Sequence, residues 1–128
     1  MHLKKGDSFL SENKQTSHGQ KRHLMIIISD PNPAGNVLVV PVTSLNPDLK
    51  QETHLVLKRG DHPFIKHDSV LAYSRMQIFI LEYIQEFIQK GVFIAKETIS
   101  PALLKKIQEA VKKSTAISKQ TVKFFDFF

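Results

Sequence analysis

The chain contains no cysteine. That excludes disulfides, thiol nucleophiles and thiolate metal sites, and it fits a reducing compartment. No apolar run is long enough to cross a bilayer. The longest, Leu24 to Ile28, falls far short of the roughly 20 residues a spanning helix needs. The N-terminus lacks the long apolar segment that directs secretion, so the expected location is the cytoplasm. Internal repeats and long low-complexity tracts are missing too. Acidic side chains are the minority, 12 against 18 lysines and arginines, which leaves a net charge of +6 and a pI of about 9.6. A surplus of this sign points to a polyanionic partner such as RNA, DNA or an acidic protein segment. A solvated lysine surface has the same composition.

What is present suggests one α+β domain over residues 1–128, a length at which a hydrophobic core forms without staples. Gly6-Asp7 is a turn signal ahead of a short strand, Ser8 to Leu10. Ser11 to Gln20 is polar and reads as a loop near the binding face. Leu24 to Ser29 is a β-branched run expected as a buried strand. Asp30 to Gly35, with two prolines and a glycine, turns the chain into a second strand, Asn36 to Thr43. Pro41 belongs where no ladder donor is needed, at an edge or bulge. Thr53 to Leu57 and Ser69 to Tyr73 complete the strand set. Short strands joined by loops, with no helix between them, predict an antiparallel barrel or sandwich over residues 3–76.

From residue 77 the period changes. Ile78, Leu81, Ile84 and Ile88 predict an amphipathic helix over Gln77 to Lys90, with Gly91 as its stop. Val92 to Ala95 suits a short strand. Ser100-Pro101 is a helix start, and Leu103, Leu104, Ile107 and Val111 form its buried stripe. The last stretch, Ser118 to Phe128, ends in Phe-Phe-Asp-Phe-Phe and suits a short terminal helix. Four rings are costly to solvate, so they dock either on the chain's own core or on a partner. The expectation is two or three C-terminal helices after the strands.

The densest polar segment is Gly60 to His67, reading GDHPFIKH. His62 and His67 are candidate acid–base groups because an imidazole titrates near working pH. The alternative is that one bonds backbone in a turn while the other is solvated. Asp61 suits an Asx-type turn cap. Thr43 and Ser44 close a core strand, where their hydroxyls either donate to a phosphate oxygen or cap the turn. His23 enters a core strand after Lys21 and Arg22, as a functional group or a satisfied structural one. Lys21, Arg22, Lys66 and Arg75 are candidate phosphate ligands, and Tyr73 with Arg75 offers surfaces on which an unstacked base packs. His54, His62 and His67 fall within fourteen positions. Their spacing matches no helical metal motif and no acidic cluster supports them, so no metal or other cofactor is expected.

Several fragments in order resemble the PemK/MazF-like toxins of type II toxin–antitoxin modules. They are the Gly6-Asp7 turn opening the first strand, a strand ending Ile28-Ser29-Asp30, and a following strand ending Pro41-Val42-Thr43-Ser44. The GDHPFIKH segment, the strand Ser69 to Tyr73 and the Ser100-Pro101-Ala102-Leu103-Leu104 helix resemble a divergent branch. The match spans residues 3 to about 76. It implies an SH3-like barrel, a homodimer, metal-independent cleavage of single-stranded RNA, and neutralisation by an antitoxin. It also implies a catalytic role for Thr43 and places His23 where the family carries a catalytic arginine. The acidic residue some members carry late in the barrel has no match near Tyr73.

Together these readings predict a toxin-like endoribonuclease with Thr43, His62, His67 and His23 as catalytic candidates. Lys21, Arg22, Ser44, Lys66, Tyr73 and Arg75 are its RNA-binding candidates. The alternative is a non-catalytic barrel that binds nucleic acid or protein, including a topoisomerase-poison-like toxin. The replacement of the arginine by His23 is its main support.

Overall fold

The computed structural model describes residues 2–12, 14–16 and 19–128. The chain is α+β. Its main sheet is antiparallel and runs in the order β6 (Ser69–Leu71), β5 (Asn36–Ser44), β4 (Leu24–Ile27), β1 (Ser8–Leu10), β8 (Ile94–Lys96), with β7 (Gln77–Ile80) also paired to β5. The helices are α1 (Leu81–Gln89), α2 (Pro101–Lys113) and α3 (Lys119–Val122). The path is open: β6 and β8 lie at opposite ends, and no ladder among the described residues joins them.

The continuous apolar runs of β4 and β5 follow from cover on both faces of the sheet. Side chains alternate across a strand. Here Leu24, Ile26, Leu38, Val40 and Val42 join one core, with Leu71, Leu103, Ile107, Val111 and Phe124. Met25, Ile27, Val37 and Val39 join the other, with Phe9, Ile84 and Phe93. Thus α2 and the C-terminal rings cover the even-numbered face, and α1 with Phe93 covers the odd. A strand buried on both sides has no polar alternation to show.

Pro41 sits where β5 changes partners. Residues 36–39 pair with β7 and residues 42–44 with β6 along the same edge. Pro41 falls between, and its carbonyl accepts from the Ala72 N–H at 2.9 Å. The missing donor therefore breaks no ladder. The turn Tyr73–Arg75 carries the chain from β6 to β7 across this gap.

Four expectations are corrected. Ser11 to Gln20 is not a plain loop: Lys14–Thr16 (β2) and Gly19–Lys21 (β3) pair as an antiparallel ribbon. Thr53 to Leu57 is no strand, since only Leu57 bridges to Ser69. Gln77 to Ile80 is strand rather than helix, because its backbone is taken up by the free edge of β5 and α1 starts only at Leu81. The sheet is not confined to residues 3–76: β7 pairs with β5, and β8 is the outer neighbour of β1.

Local chemistry sets the helix ends as the sequence suggests. The Ser100 side chain accepts from Leu103 N at 3.1 Å with Pro101 at the first helical position. Gly91, at φ 77°, closes α1: its N–H reaches Ile88 O and the Val92 N–H reaches Phe87 O at 2.9 Å. This paired closure needs a left-handed residue, which glycine adopts without a Cβ clash. It delivers Phe93 directly to the odd face. The C-terminal rings dock on the chain's own core: Phe124 is buried, Phe125 and Phe128 pack beside it, and Asp30 N–H bonds Phe127 O at 2.7 Å.

Candidate functional site

On the odd face the apolar cover ends beyond Met25. The β4–β5 register pairs Met25 with Pro41, and beyond that pair His23 and Thr43 line one hollow. Ser11 binds His23 in the same row: Ser11 N donates to His23 O, and His23 N to Ser11 Oγ, both at 2.9 Å. Arg75 arrives from the β6–β7 turn and lines the same hollow as Pro41. The result is a hollow of about 680 Å³, within the usual size of ligand sites. His23, Thr43, Arg75, Lys14 and Glu12 line its polar part, and Phe9, Phe79, Phe87 and Phe93 its apolar part. A smaller hollow of about 300 Å³ adjoins it and shares Thr43, Ala72 and Arg75.

His23 is half-buried. Burial, with the charges of Lys21, Arg75 and Lys14, holds its pKa below 6.5, partly offset by a hydrogen bond to the Val42 backbone. The imidazole is therefore mainly neutral at pH 7, the form that accepts a proton. Arg75 is exposed and brings a permanent cation beside it. Lys14, which lines the hollow, and Lys21 are cross-strand partners in the β2–β3 ribbon, so two further cations act on His23 beside Arg75.

The structure sends the other candidates elsewhere. His62 is only 2% exposed. Its Nδ1 accepts from Phe64 N–H at 3.0 Å, so in the neutral ring Nε2 carries the hydrogen. Nε2 lies 2.9 Å from Ser8 Oγ and 3.1 Å from Glu97 O. Ser8 donates its own hydroxyl hydrogen to Glu97 O at 2.6 Å, leaving its oxygen to accept from the ring. Nδ1 is thus spent within GDHPFIKH, and Nε2 ties that segment to β1 and to the residue after β8. Burial pushes the pKa of His62 down, while the bond to Glu97 O and the Glu97 carboxylate pull it up. His62, expected as an acid–base group, is therefore buried with both ring nitrogens bonded within the protein, and it lines neither hollow.

His67 is exposed and its Nε2 lies 2.7 Å from Ser44 Oγ. Neither residue lines either hollow. Thr43 and Ser44, expected to act together, point to opposite faces because they are adjacent in a strand. One imidazole bonded to backbone in a turn and one at the surface is the alternative the sequence left open. Asp61 does cap the turn, its carboxylate accepting from Lys58 N–H at 2.8 Å.

Arg22 is engaged within the fold: its Nη1 donates to Ser11 O and Val92 O, both at 2.9 Å, which fixes the α1–β8 turn to the end of β1. Tyr73 is buried and stacked on His54 at 5.3 Å and 18°. Its hydroxyl, 3.2 Å from His54 Nε2, is pushed up to about 12 by burial and Glu52. Its ring faces are not open to a base. Lys66 and Lys21 are exposed. Among the described residues, no three His, Cys, Asp or Glu side chains come close enough to hold a metal ion, and no helix is long and apolar enough to cross a membrane.

The site thus unites His23, Thr43 and Arg75. Sequence reasoning missed Lys14, Glu12, Gln77 and the phenylalanine wall. The parity of the strands carried a signal for part of this: Phe9, Ser11, His23, Met25, Pro41 and Thr43 are all odd-numbered residues in or beside paired strands. No family model matches the chain, and comparison with curated proteins gave no match.

Proposed function

We propose that the protein is an endoribonuclease that cleaves single-stranded RNA without a metal ion, as the PemK/MazF-like resemblance implies. The observation that carries this reading is the meeting of His23, Thr43 and Arg75 around one open groove. Neutral His23 takes the proton of the 2′-hydroxyl. The 2′-oxygen attacks phosphorus, the bond to the 5′-oxygen breaks, and a 2′,3′-cyclic phosphate remains. Arg75 offsets charge developing on the non-bridging oxygens, and the Thr43 hydroxyl donates to one of them. Water at the open mouth protonates the leaving 5′-oxygen. In this reading the sheet belongs to an SH3-like barrel that works as a cytoplasmic homodimer held in check by an antitoxin.

Incubation with single-stranded RNA in EDTA is expected to give fragments with 2′,3′-cyclic phosphate ends. Loss of cleavage on adding EDTA sinks the metal-free chemistry. The burial of His62 favours a second reading, because it takes away one half of a histidine acid–base pair. In that reading the same groove binds nucleic acid without cutting it. Affinity that falls steeply with salt, with intact RNA recovered, supports it.

A further inference from the structure

Phosphate chemistry leaves the aromatic half of the hollow without a task. Phe93 stacks on Phe9 with centroids 4.7 Å apart, and Phe79 and Phe87 stand edge-on to Phe93 at 89° and 88°. Phe9 and Phe93 are buried, whereas Phe79 and Phe87 are only half-buried. The wall opens into the same hollow whose mouth carries Lys14, His23 and Arg75. An occupant that satisfies both ends is flat and apolar at one end and anionic at the other.

Gln77 and Glu12 narrow the chemistry further, since both line this hollow. An acyl chain would strip water from the amide and the carboxylate and offer no partner in return. A nucleobase stacks on exposed rings and brings edge donors and acceptors for both groups. We infer that the hollow is a nucleotide subsite of an RNA strand. One unstacked base lodges against Phe79, Phe87 and Phe93, and its phosphate meets Arg75 and Lys14. This rests on the RNA-cleaving reading and names the part of the strand that the groove grips.

The test is binding, measured by titration calorimetry on the intact chain. The four 5′-mononucleotides are compared with ribose 5-phosphate, which keeps the anion and lacks the base. At least one mononucleotide is expected to bind tighter by about tenfold or more, the scale of one base stacked on an aromatic side chain. Equal binding of mononucleotide and ribose phosphate, or no binding of either, overturns the subsite on wild-type protein alone. Phe79→Leu/Phe87→Leu keeps an apolar wall and is expected to lose the excess while holding ribose phosphate as before. An unchanged excess overturns the subsite.

A second arm uses 2′-O-methyl RNA, which cannot be cut, carrying one abasic position moved along the strand. A loss of similar size at one position supports the strand as ligand. Selective mononucleotide binding with no abasic effect makes a free nucleotide the occupant and overturns the inference as stated. His23→Ala protein that binds but does not cut separates failure of the chemistry from failure of the subsite. Cleavage at unchanged KM in the double leucine variant overturns the subsite and leaves the nuclease reading intact.

Discussion

His62→Ala is expected to lower the unfolding free energy by about 3 kcal/mol, the range of a broken buried hydrogen-bond network. The substitution removes a 2%-exposed ring, strips a partner from Phe64 N–H, and unties the 60–67 loop from Ser8 and Glu97. Urea unfolding checks it through a shifted midpoint at constant slope. At a temperature where the variant is still folded, RNA cleavage is expected to match wild type. A wild-type midpoint together with lost cleavage would restore His62 to catalysis and overturn the structural assignment.

The same ring makes stability depend on pH. Burial holds the folded pKa of His62 below 6.5, so the unfolded chain takes up a proton that the folded chain resists. Stability is therefore full above pH 6.5 and declines as pH falls through the interval down to the folded pKa. His23 is shifted the same way and adds to the decline. Unfolding midpoints measured between pH 7.5 and 5 are expected to fall in wild type and to fall less in His62→Gln. The remaining slope in that variant belongs largely to His23.

If the protein cleaves RNA as proposed, the largest effect on activity is expected at His23. His23→Ala should reduce kcat by about 10²- to 10⁴-fold, the usual contribution of a positioned general base. Wild-type cleavage should fall on the acid side below pH 6.5, because the working form is the neutral ring. Arg75→Ala separates two roles in one variant. In the proposed reaction it loses the charge that offsets the transition state, so kcat is expected to drop. It also removes a cation that lowers the His23 pKa, so the acid limb moves to higher pH. Initial rates across pH 4.5–8 read both effects. A profile that drops in height without moving would show that Arg75 acts on RNA alone and not on His23.

Strong local signals read correctly from the sequence. The strand Ser8 to Leu10, the apolar runs of β4 and β5, the Ser100-Pro101 start of α2 and the Gly91 stop each follow from nearest-neighbour chemistry. Misreadings arose where distant partners decide. Ile78, Leu81, Ile84 and Ile88 fit a helical period, but an unpaired edge of β5 claims the backbone of Gln77 to Ile80. Thr53 to Leu57 has strand composition yet gains only the Leu57–Ser69 bridge. The polar β2–β3 ribbon has no apolar face for a pattern to reveal.

The site divides in the same way. His23, Thr43 and Arg75 were legible as residue types beside strand ends. GDHPFIKH misled because the polar density that marks a reactive loop also marks a turn satisfying its own backbone, here through His62 and Asp61. Tyr73 looked like a stacking surface until its partner His54, 19 residues away, was placed on it. The phenylalanine wall draws on β1, β7, α1 and the segment after Gly91, and no single window of sequence holds it.

The alternation along β4 and β5 has a consequence for tinkering with this molecule. Even positions from Leu38 to Val42 answer to α2 and Phe124, whereas the odd positions pass from core at Val39 to the groove at Pro41 and Thr43. A library randomised only at Pro41 and Thr43 would explore ligand choice while both cores stay intact. Deleting a single residue between Asn36 and Pro41 would exchange the two roles at once, turning Thr43 inward and Val42 out. Chain length in that strand is thus a stricter inheritance than the identity of most side chains on it.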